Sequence, residues 1–260
     1  MLIATDLDGT LVPADSTGPS ARTAEVLERV DAAGIPVVFV TARPLRWMEG
    51  FWPHVGRHGM AIVSNGAIVY DAHAHRVRTL TGIDASVGLE LVRAVTDAVP
   101  GATFAIECAD GIRLDPDFVE RYEVPEGTRR GPMAEVWDAP AVKLLVRHEG
   151  MDPDDFRERV TAAVGESATA TWTVPGLVEV SAAGVTKASA LVELCDQLGV
   201  DAADVVAFGD MPNDLPMLTW AGTSYAMAGA HPTVVEAADH VAPPCEEDGV
   251  AQVMESLLAG

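Results

Sequence analysis

The chain opens Met1-Leu2-Ile3-Ala4-Thr5-Asp6-Leu7-Asp8-Gly9-Thr10. Leu2-Ile3-Ala4 reads as a buried strand that delivers two carboxylates, two residues apart, to its C-terminal end, where Gly9 turns the chain. In an open α/β sheet that end of a strand is where ligands bind. Asp-x-Asp-Gly-Thr, at ordinary residue usages, falls together at roughly one position in 10⁵ by chance, so the stretch asks for a chemical reason. Residues i and i+2 of a regular strand point the same way, and a bend at Gly9 can swing the second carboxylate over the first. A carboxylate can act as a nucleophile and form an aspartyl-phosphate. A second carboxyl nearby can protonate a leaving oxygen and later deprotonate water. The plain alternative is a strand end followed by an ordinary Asp-Gly turn.

Working outward, strand and helix patterns alternate. Ser20 to Ala33 carries the apolar spacing of an amphipathic helix, Gly34 ends it, and Ile35 to Val40 is a second buried strand. A short helix is expected from Pro44 towards Phe51, then a third strand from Met60 to Ser64. This βαβαβ order implies a parallel sheet with helices on both faces. Asn65-Gly66 then separates two apolar runs, a strong hairpin signal. From 82 to 181 the pattern changes to helices at Ala85 to Ala98 and Asp152-Pro153 to Val164. Strands are expected at Thr103 to Cys108, Ile112 to Leu114, Val142 to Arg147, Ala168 to Trp172 and Leu177 to Val180. The stretch Glu123 to Pro140, with three prolines and two glycines, reads as loop with at most short structure. The α/β rhythm returns with helix Lys187 to Leu198, strand Val205 to Phe208 and helix Asp214 to Ala221. A strand Ser224 to Met227 and helices Thr233 to Ala238 and Val250 to Leu258 complete it. The expected architecture is a doubly wound, mostly parallel, Rossmann-like α/β core (1–81 and 182–260) with an inserted α+β domain (82–181).

A second acidic strand end strengthens the first. Val205-Val206-Ala207-Phe208 runs straight into Gly209-Asp210-Met211-Pro212-Asn213-Asp214. Two acidic strand ends in one parallel sheet converge on the same edge, and hard cations such as Mg²⁺ prefer carboxylate oxygens. Asp210 is therefore a candidate metal ligand opposite Asp6, while Asn213 and Asp214 have helix capping as their alternative. Thr41 also follows a strand, where its hydroxyl and the N–H groups of an ensuing helix form an anion site or an ordinary N-cap. Lys187 opens a helix, a position the helix dipole disfavours for a cation. A bound phosphate explains it; an exposed surface lysine is the alternative.

Composition narrows the class. Against 39 Asp and Glu stand 17 Lys and Arg, a formal charge of −22. Such a surface argues against nucleic acid or anionic membrane as partner. A phosphorylated substrate would be repelled by the overall field, so positive charge must be supplied locally by a metal, a lysine or backbone N–H groups. No run reaches the roughly 20 apolar residues of a membrane span, and the first residues lack the basic region of a signal peptide. Cys108, Cys195 and Cys245 are odd in number and widely spaced, which fits a reducing cytoplasm rather than a disulfide scaffold or zinc site.

Taken in order, Asp6-x-Asp8-Gly9-Thr10, Thr41, Lys187 and Gly209-Asp210-x-x-Asn213-Asp214 resemble the four motifs of the haloacid dehalogenase-like (HAD) phosphohydrolases. The likeness is closest to the Cof-type subfamily. It extends to Ser64-Asn65-Gly66-Ala67, Gly184-Val185-Thr186-Lys187 and the tail from Ala226-Met227 through Ala237-Ala238-Asp239 to Glu247-Asp248-Gly249-Val250. One departure is Thr41-Ala42-Arg43, where Thr-Gly-Arg is usual. The resemblance implies that Asp6 attacks phosphorus and Asp8 serves as acid and base. Mg²⁺ would be held by Asp6, the Asp8 carbonyl and Asp210, and Thr41, Lys187 and Asn213 would hold phosphoryl oxygens with Asp214 in support. It also implies that 82–181 is a type-2B cap. The expected activity is Mg²⁺-dependent hydrolysis of small phosphorylated metabolites, sugar phosphates above all. A phosphomutase on the same scaffold and a catalytically silent phosphate-binding regulator are the rivals; the presence of both Asp6 and Asp8 speaks against the second. Trp172, Arg113, Glu179 and the histidines His54, His58, His73, His75 and His148 have no motif context and read as surface or core.

Overall fold

Leu2-Ile3-Ala4-Thr5, Val37-Val38-Phe39-Val40 and Val205-Val206-Ala207-Phe208-Gly209 are buried at every position. Unbroken apolar strands of this kind belong in a parallel sheet covered on both faces. The computed structural model describes residues 1–14, 16–172 and 174–259. Asp15, Thr173 and Gly260, which fall between the first motif and the first helix, in the insertion and in the C-terminal core segment, lie outside the described residues.

In chain order the first segment holds β1 (Leu2–Thr5), α1 (Ala21–Ala32), β2 (Val37–Val40), β3 (Met60–Val63), β4 (Ile68–Asp71) and β5 (Arg76–Leu80). Next come α2 (Ala85–Ala98), β6 (Thr103–Cys108), β7 (Gly111–Leu114), α3 (Met133–Val136), β8 (Lys143–Arg147), α4 (Pro153–Val164), β9 (Ala168–Thr171) and β10 (Leu177–Ala182). The last segment holds α5 (Lys187–Leu198), β11 (Val205–Gly209), α6 (Leu215–Trp220), β12 (Thr223–Met227), α7 (Pro232–Ala237), β13 (His240–Ala242) and α8 (Gly249–Ala259). The chain divides into two compact units, Met1–Thr79 with Thr186–Gly260, and Leu80–Val185.

The first unit carries an eight-stranded sheet in the order β13-β12-β11-β1-β2-β3-β4-β5, parallel from β13 to β3, with β4 antiparallel to β3. Order runs outward from β1 in both directions, so the ends of β11, β1 and β2 lie at a topological switch point. One face packs Leu191 and Leu194 of α5, Met217 and Leu218 of α6 and Val234 of α7 against Leu2, Ala4, Val38, Val40, Val205 and Ala207. α1 packs with α8. The second unit is a five-stranded antiparallel sheet, β7-β6-β8-β10-β9. Its strands alternate strictly. Phe104, Ile106, Leu144, Val146, Val178 and Val180 join Leu91 and Val95 of α2 and Phe156 and Val160 of α4 in one core. Glu179 and Arg113, read as surface or core, are both buried and ion-paired, with Lys143 and with Asp110 and Asp138.

Three features differ from the sequence reading. The helix expected from Pro44 to Phe51 is a pair of 3₁₀ turns, Leu45–Trp47 and Trp52–His54. Two prolines and Gly50 in so short a stretch leave no room for a hydrogen-bonded α turn to propagate. β5 and β13 were not foreseen. β5 is an edge strand with no buried position, and β13 has only three residues at the other edge, so neither shows the burial pattern that marks a strand. No helix among the described residues is long and apolar enough to cross a membrane.

Candidate active site

Parallel pairing carries Asp6 and Asp210 to the same edge. The register Thr5 to Phe208 is extended by the Asp6 N–H, which donates to the Phe208 carbonyl at 3.1 Å. Gly9 then lets the chain fold back over Asp210. It sits at φ +79°, and a Cβ there would lie 2.4 Å from Asp210 Oδ2. Both the left-handed backbone and the close approach demand glycine.

The Lys187 ammonium lies at the centre of the cluster. It donates to Asp6 Oδ1 at 2.6 Å and to Asp214 Oδ1 at 2.7 Å, and the residue is 1% exposed. The surface-lysine alternative is therefore overturned. Its helix starts by other means: Thr186 Oγ1 accepts from the Ser189 N–H, and Ser189 Oγ accepts from the Thr186 N–H, a reciprocal box that leaves the lysine side chain free to turn inward. Asp214 is fully buried, and its Oδ2 accepts from the N–H groups of Asp210 and Met211. It does not cap the helix that follows. Its work is to fold the Gly209–Asp214 turn and to hold Lys187.

Burial pushes the Asp6 carboxyl well above the ordinary carboxylate range; Lys187 pulls it back, and Asp214 and Asp210 push it further up. Burial and then Asp214 raise Asp210 to about 6. Burial alone depresses the Lys187 ammonium, but Asp214 and Asp6 outweigh it and hold the group above its ordinary value. Asp6, Asp210 and Asp214 bring one oxygen each within 4.8 Å of one another. Three carboxylates around one ammonium leave excess negative charge out of water, which is costly unless a cation offsets it. Both Asp214 oxygens are spent on Lys187 and two N–H groups, so Asp6 and Asp210 are the side chains left to hold one. Hard oxygen donors of this kind suit Mg²⁺.

Asp8, two residues from Asp6, has a different environment. Its carboxylate is half-exposed and accepts from Arg43 Nε at 2.8 Å and Arg43 Nη2 at 2.5 Å. Arg43 is itself buried, its guanidinium 4.8 Å above the Phe51 ring. Thr41 is fully buried and its Oγ1 accepts from the Arg43 N–H at 3.0 Å, a local turn and not a helix cap, since the next 3₁₀ turn has Pro44 at its N-cap. No α-helix follows, and the helix-terminus argument for an anion site at Thr41 fails; its hydroxyl proton remains available to donate. Asn213 Nδ2 donates to Asn65 Oδ1 at 3.2 Å, while Asn213 Oδ1 is buried without a partner.

The structure thus gathers Asp6, Lys187, Asp210 and Asp214 into one contact network, sets Asp8 two residues along from Asp6, and ties Asn213 to Asn65. Sequence reasoning passed over two residues of this neighbourhood. Arg43, two positions after Thr41 at a strand end, is the one basic group in Val40 to Pro44, facing two acidic strand ends. Asn65 was read only as a turn former.

A doubly wound α/β core with an inserted antiparallel unit, and a carboxylate–lysine cluster at the switch point, defines the class of the protein: an enzyme built at the strand ends of a Rossmann-like sheet. The sequence profile of the haloacid dehalogenase-like hydrolases matches residues 3–254, and the chain belongs to that family. Among its relatives, the HMP-PP phosphatase of Yersinia pestis (strain Pestoides F) is 28% identical, covering 99% of this chain and 95% of its own length. The 5-amino-6-(5-phospho-D-ribitylamino)uracil phosphatase YitU of Bacillus subtilis (strain 168) is 26% identical, covering 99% and 97%. The solved structure of BT4131, a HAD subclass IIB sugar phosphatase, shares the fold with a TM-score of 0.80 at 21% identity, covering 98% of each chain. The protein is a hydrolase of the HAD phosphatase class.

Proposed function

We propose that the protein hydrolyses small phosphate monoesters, sugar phosphates among them, in a Mg²⁺-dependent reaction through phosphorylated Asp6. The observation that carries this reading is the fully buried Lys187 bridging Asp6 and Asp214 beside Asp210. A lysine and carboxylates held out of water at a sheet's switch point are an arrangement for a charged ligand.

Asp6 attacks phosphorus, forming an O–P bond as the bond to the leaving oxygen breaks. Asp8 gives the departing alcohol its proton, then takes one from the water that attacks phosphorus and releases Asp6. Thr41, Lys187 and Asn213 hold the phosphoryl oxygens, and stabilising that charge by position is most of phosphoryl-transfer catalysis. Asp6, Asp210 and the Asp8 carbonyl would hold Mg²⁺, which would supply positive charge against the phosphoryl group. Selection of the alcohol falls to residues 82–181 as a cap, because the core residues recognise only the phosphoryl end. The named relatives act, by their names, on small phosphorylated metabolites, and BT4131 is a sugar phosphatase. We place the protein in a reducing cytoplasm, in keeping with three buried cysteines and no disulfide between them.

A panel of phosphorylated metabolites, assayed for released phosphate with and without Mg²⁺, tests the reading. Metal-dependent release from sugar phosphates supports it. Release from none of them, or transfer to another sugar hydroxyl without free phosphate, overturns it.

A further inference from the structure

The connection after β3 touches every element to which the phosphoryl group has been assigned. Ser64 donates its N–H to the Arg43 carbonyl at 2.9 Å, and Asn65 donates its N–H to the Thr41 carbonyl at 3.0 Å. Gly66 lies against the residue that starts the Lys187 helix: a Cβ there would fall 2.1 Å from the Thr186 carbonyl oxygen. The Asn65 side chain reaches Asn213. A hairpin turn needs none of this.

The turn is also strained. Ser64 at φ 53° and Asn65 at φ 56° are consecutive non-glycine residues in the left-handed region, and both are buried. Such residues cost about 1–3 kcal/mol each and persist where the surroundings hold them, most often at functional sites. Asparagine tolerates this conformation better than most residues, yet glycine would fit it at no cost. What asparagine adds over glycine is its amide, and that amide accepts from Asn213 Nδ2. The contact fixes the Asn213 side-chain plane through one Nδ2 hydrogen, leaves the second as the donor for a phosphoryl oxygen, and keeps Asn213 Oδ1 buried without a partner among the described residues.

We infer that Asn65 is a positioning residue: it orients the Asn213 amide toward the phosphoryl oxygens and couples that amide to the Thr41 loop. The inference rests on the phosphatase reading of the site. It implies that the turn after β3 is part of the phosphate pocket's frame and not merely the bend between two strands.

The test uses the full chain with Mg²⁺ and inorganic phosphate as the probe, measuring phosphate affinity by calorimetry and Tm for four proteins: wild type, Asn65→Gly, Asn213→Ala and the double variant. Asn65→Gly keeps the N–H bond to Thr41 and relieves the strained φ, so its Tm should hold or rise. Its phosphate affinity should fall about five- to tenfold, the scale of one lost hydrogen bond. If Asn65 acts through Asn213, the double variant binds phosphate no worse than Asn213→Ala, within about twofold, because coupled residues are non-additive. Wild-type affinity in Asn65→Gly, or losses that simply add in the double variant, overturn the inference while leaving the phosphatase reading intact. A wild-type protein that takes up no phosphate overturns both, and that failure shows before any variant is compared.

Discussion

The chain has 15 arginines but only two lysines, Lys143 and Lys187, and each of its two units buries one of them. Lys187 is 1% exposed and Lys143 is 2% exposed. Each is ion-paired, Lys187 to Asp6 and Asp214, Lys143 to Glu179 at 2.5 Å. The pairs are chemically alike and differ in where their members come from. Lys143 opens β8 and lies beside Glu107 of β6 and Glu179 of β10 through the antiparallel register Glu107 to Lys143 and Glu179 to Leu145. Asp6 and Asp210 stand just beyond the ends of parallel strands, at the switch point of the sheet. Buried charges within the hydrogen-bonded span of an antiparallel sheet are a packing solution, whereas charges just past the strand ends at a switch point stand where a ligand can meet them.

Breaking the strand-end cluster should have the largest effect. Asp6→Asn keeps the shape of the side chain and removes the nucleophile, so phosphate release should fall by at least about 10³-fold. Removing one of three crowded carboxylates should leave Tm unchanged or slightly raised. A variant that turned over near the wild-type rate would show that Asp6 is not the attacking group. Metal removal comes next: EDTA should lower the rate by about 10²-fold or more, since the excess negative charge around Lys187 and an anionic substrate cannot share one site without a cation. Added Mg²⁺ should restore it. Full activity after exhaustive chelation would mean that Lys187 and the backbone suffice.

The Lys143–Glu179 pair sharpens the contrast from the other side. Lys143→Met strands Glu179 in a buried setting and should cost about 3–5 kcal/mol of stability, read as a fall in the midpoint of urea unfolding. The triple variant Lys143→Met/Glu179→Leu/Glu107→Leu removes the three buried charges together and should recover most of that loss. If it does not, the lysine serves something besides its partner, and the distinction drawn between the two units fails.

Legibility divided along the same line. α2, β6, α4 and α5 were readable to the residue, because apolar periodicity and cap signals such as Asp152-Pro153 are local. Asp6 and Asp210 were readable together because a parallel sheet must bring its strand ends to one edge. What could not be read was where charges end up in three dimensions. Lys187 looked misplaced against the helix dipole, and only the folded chain shows its side chain buried between two aspartates. From the sequence Asp214 supports the site with helix capping as the alternative, and only the folded chain shows its carboxylate turned back to the Asp210 and Met211 N–H groups. Arg43 and Asn65 act across loops from different strands, and no sequence spacing connects Arg43 with Asp8 or Asn65 with Asn213.

Arg43 supplies the smallest and most discriminating prediction. Asp6 and Asp8 sit two residues apart, yet Lys187 holds the first in the interior and Arg43 grips the second at the half-exposed rim. In the step that expels the alcohol, Asp8 and with it Arg43 matter only where the leaving group needs a proton; kcat/KM reports that step, whereas the later attack of water on phosphorylated Asp6 is common to all substrates. Alkyl phosphates need that proton, because an alkoxide is a poor leaving group; p-nitrophenyl phosphate does not, because its phenolate leaves unassisted. Arg43→Lys keeps the charge but loses the bidentate grip. It should lower kcat/KM on a sugar phosphate about tenfold, within the share that general acid–base catalysis commands, and change kcat/KM on p-nitrophenyl phosphate by less than about twofold. Equal losses on both substrates would mean that Arg43 shapes the phosphoryl pocket itself, and that the two aspartates are not divided in the way their partners suggest.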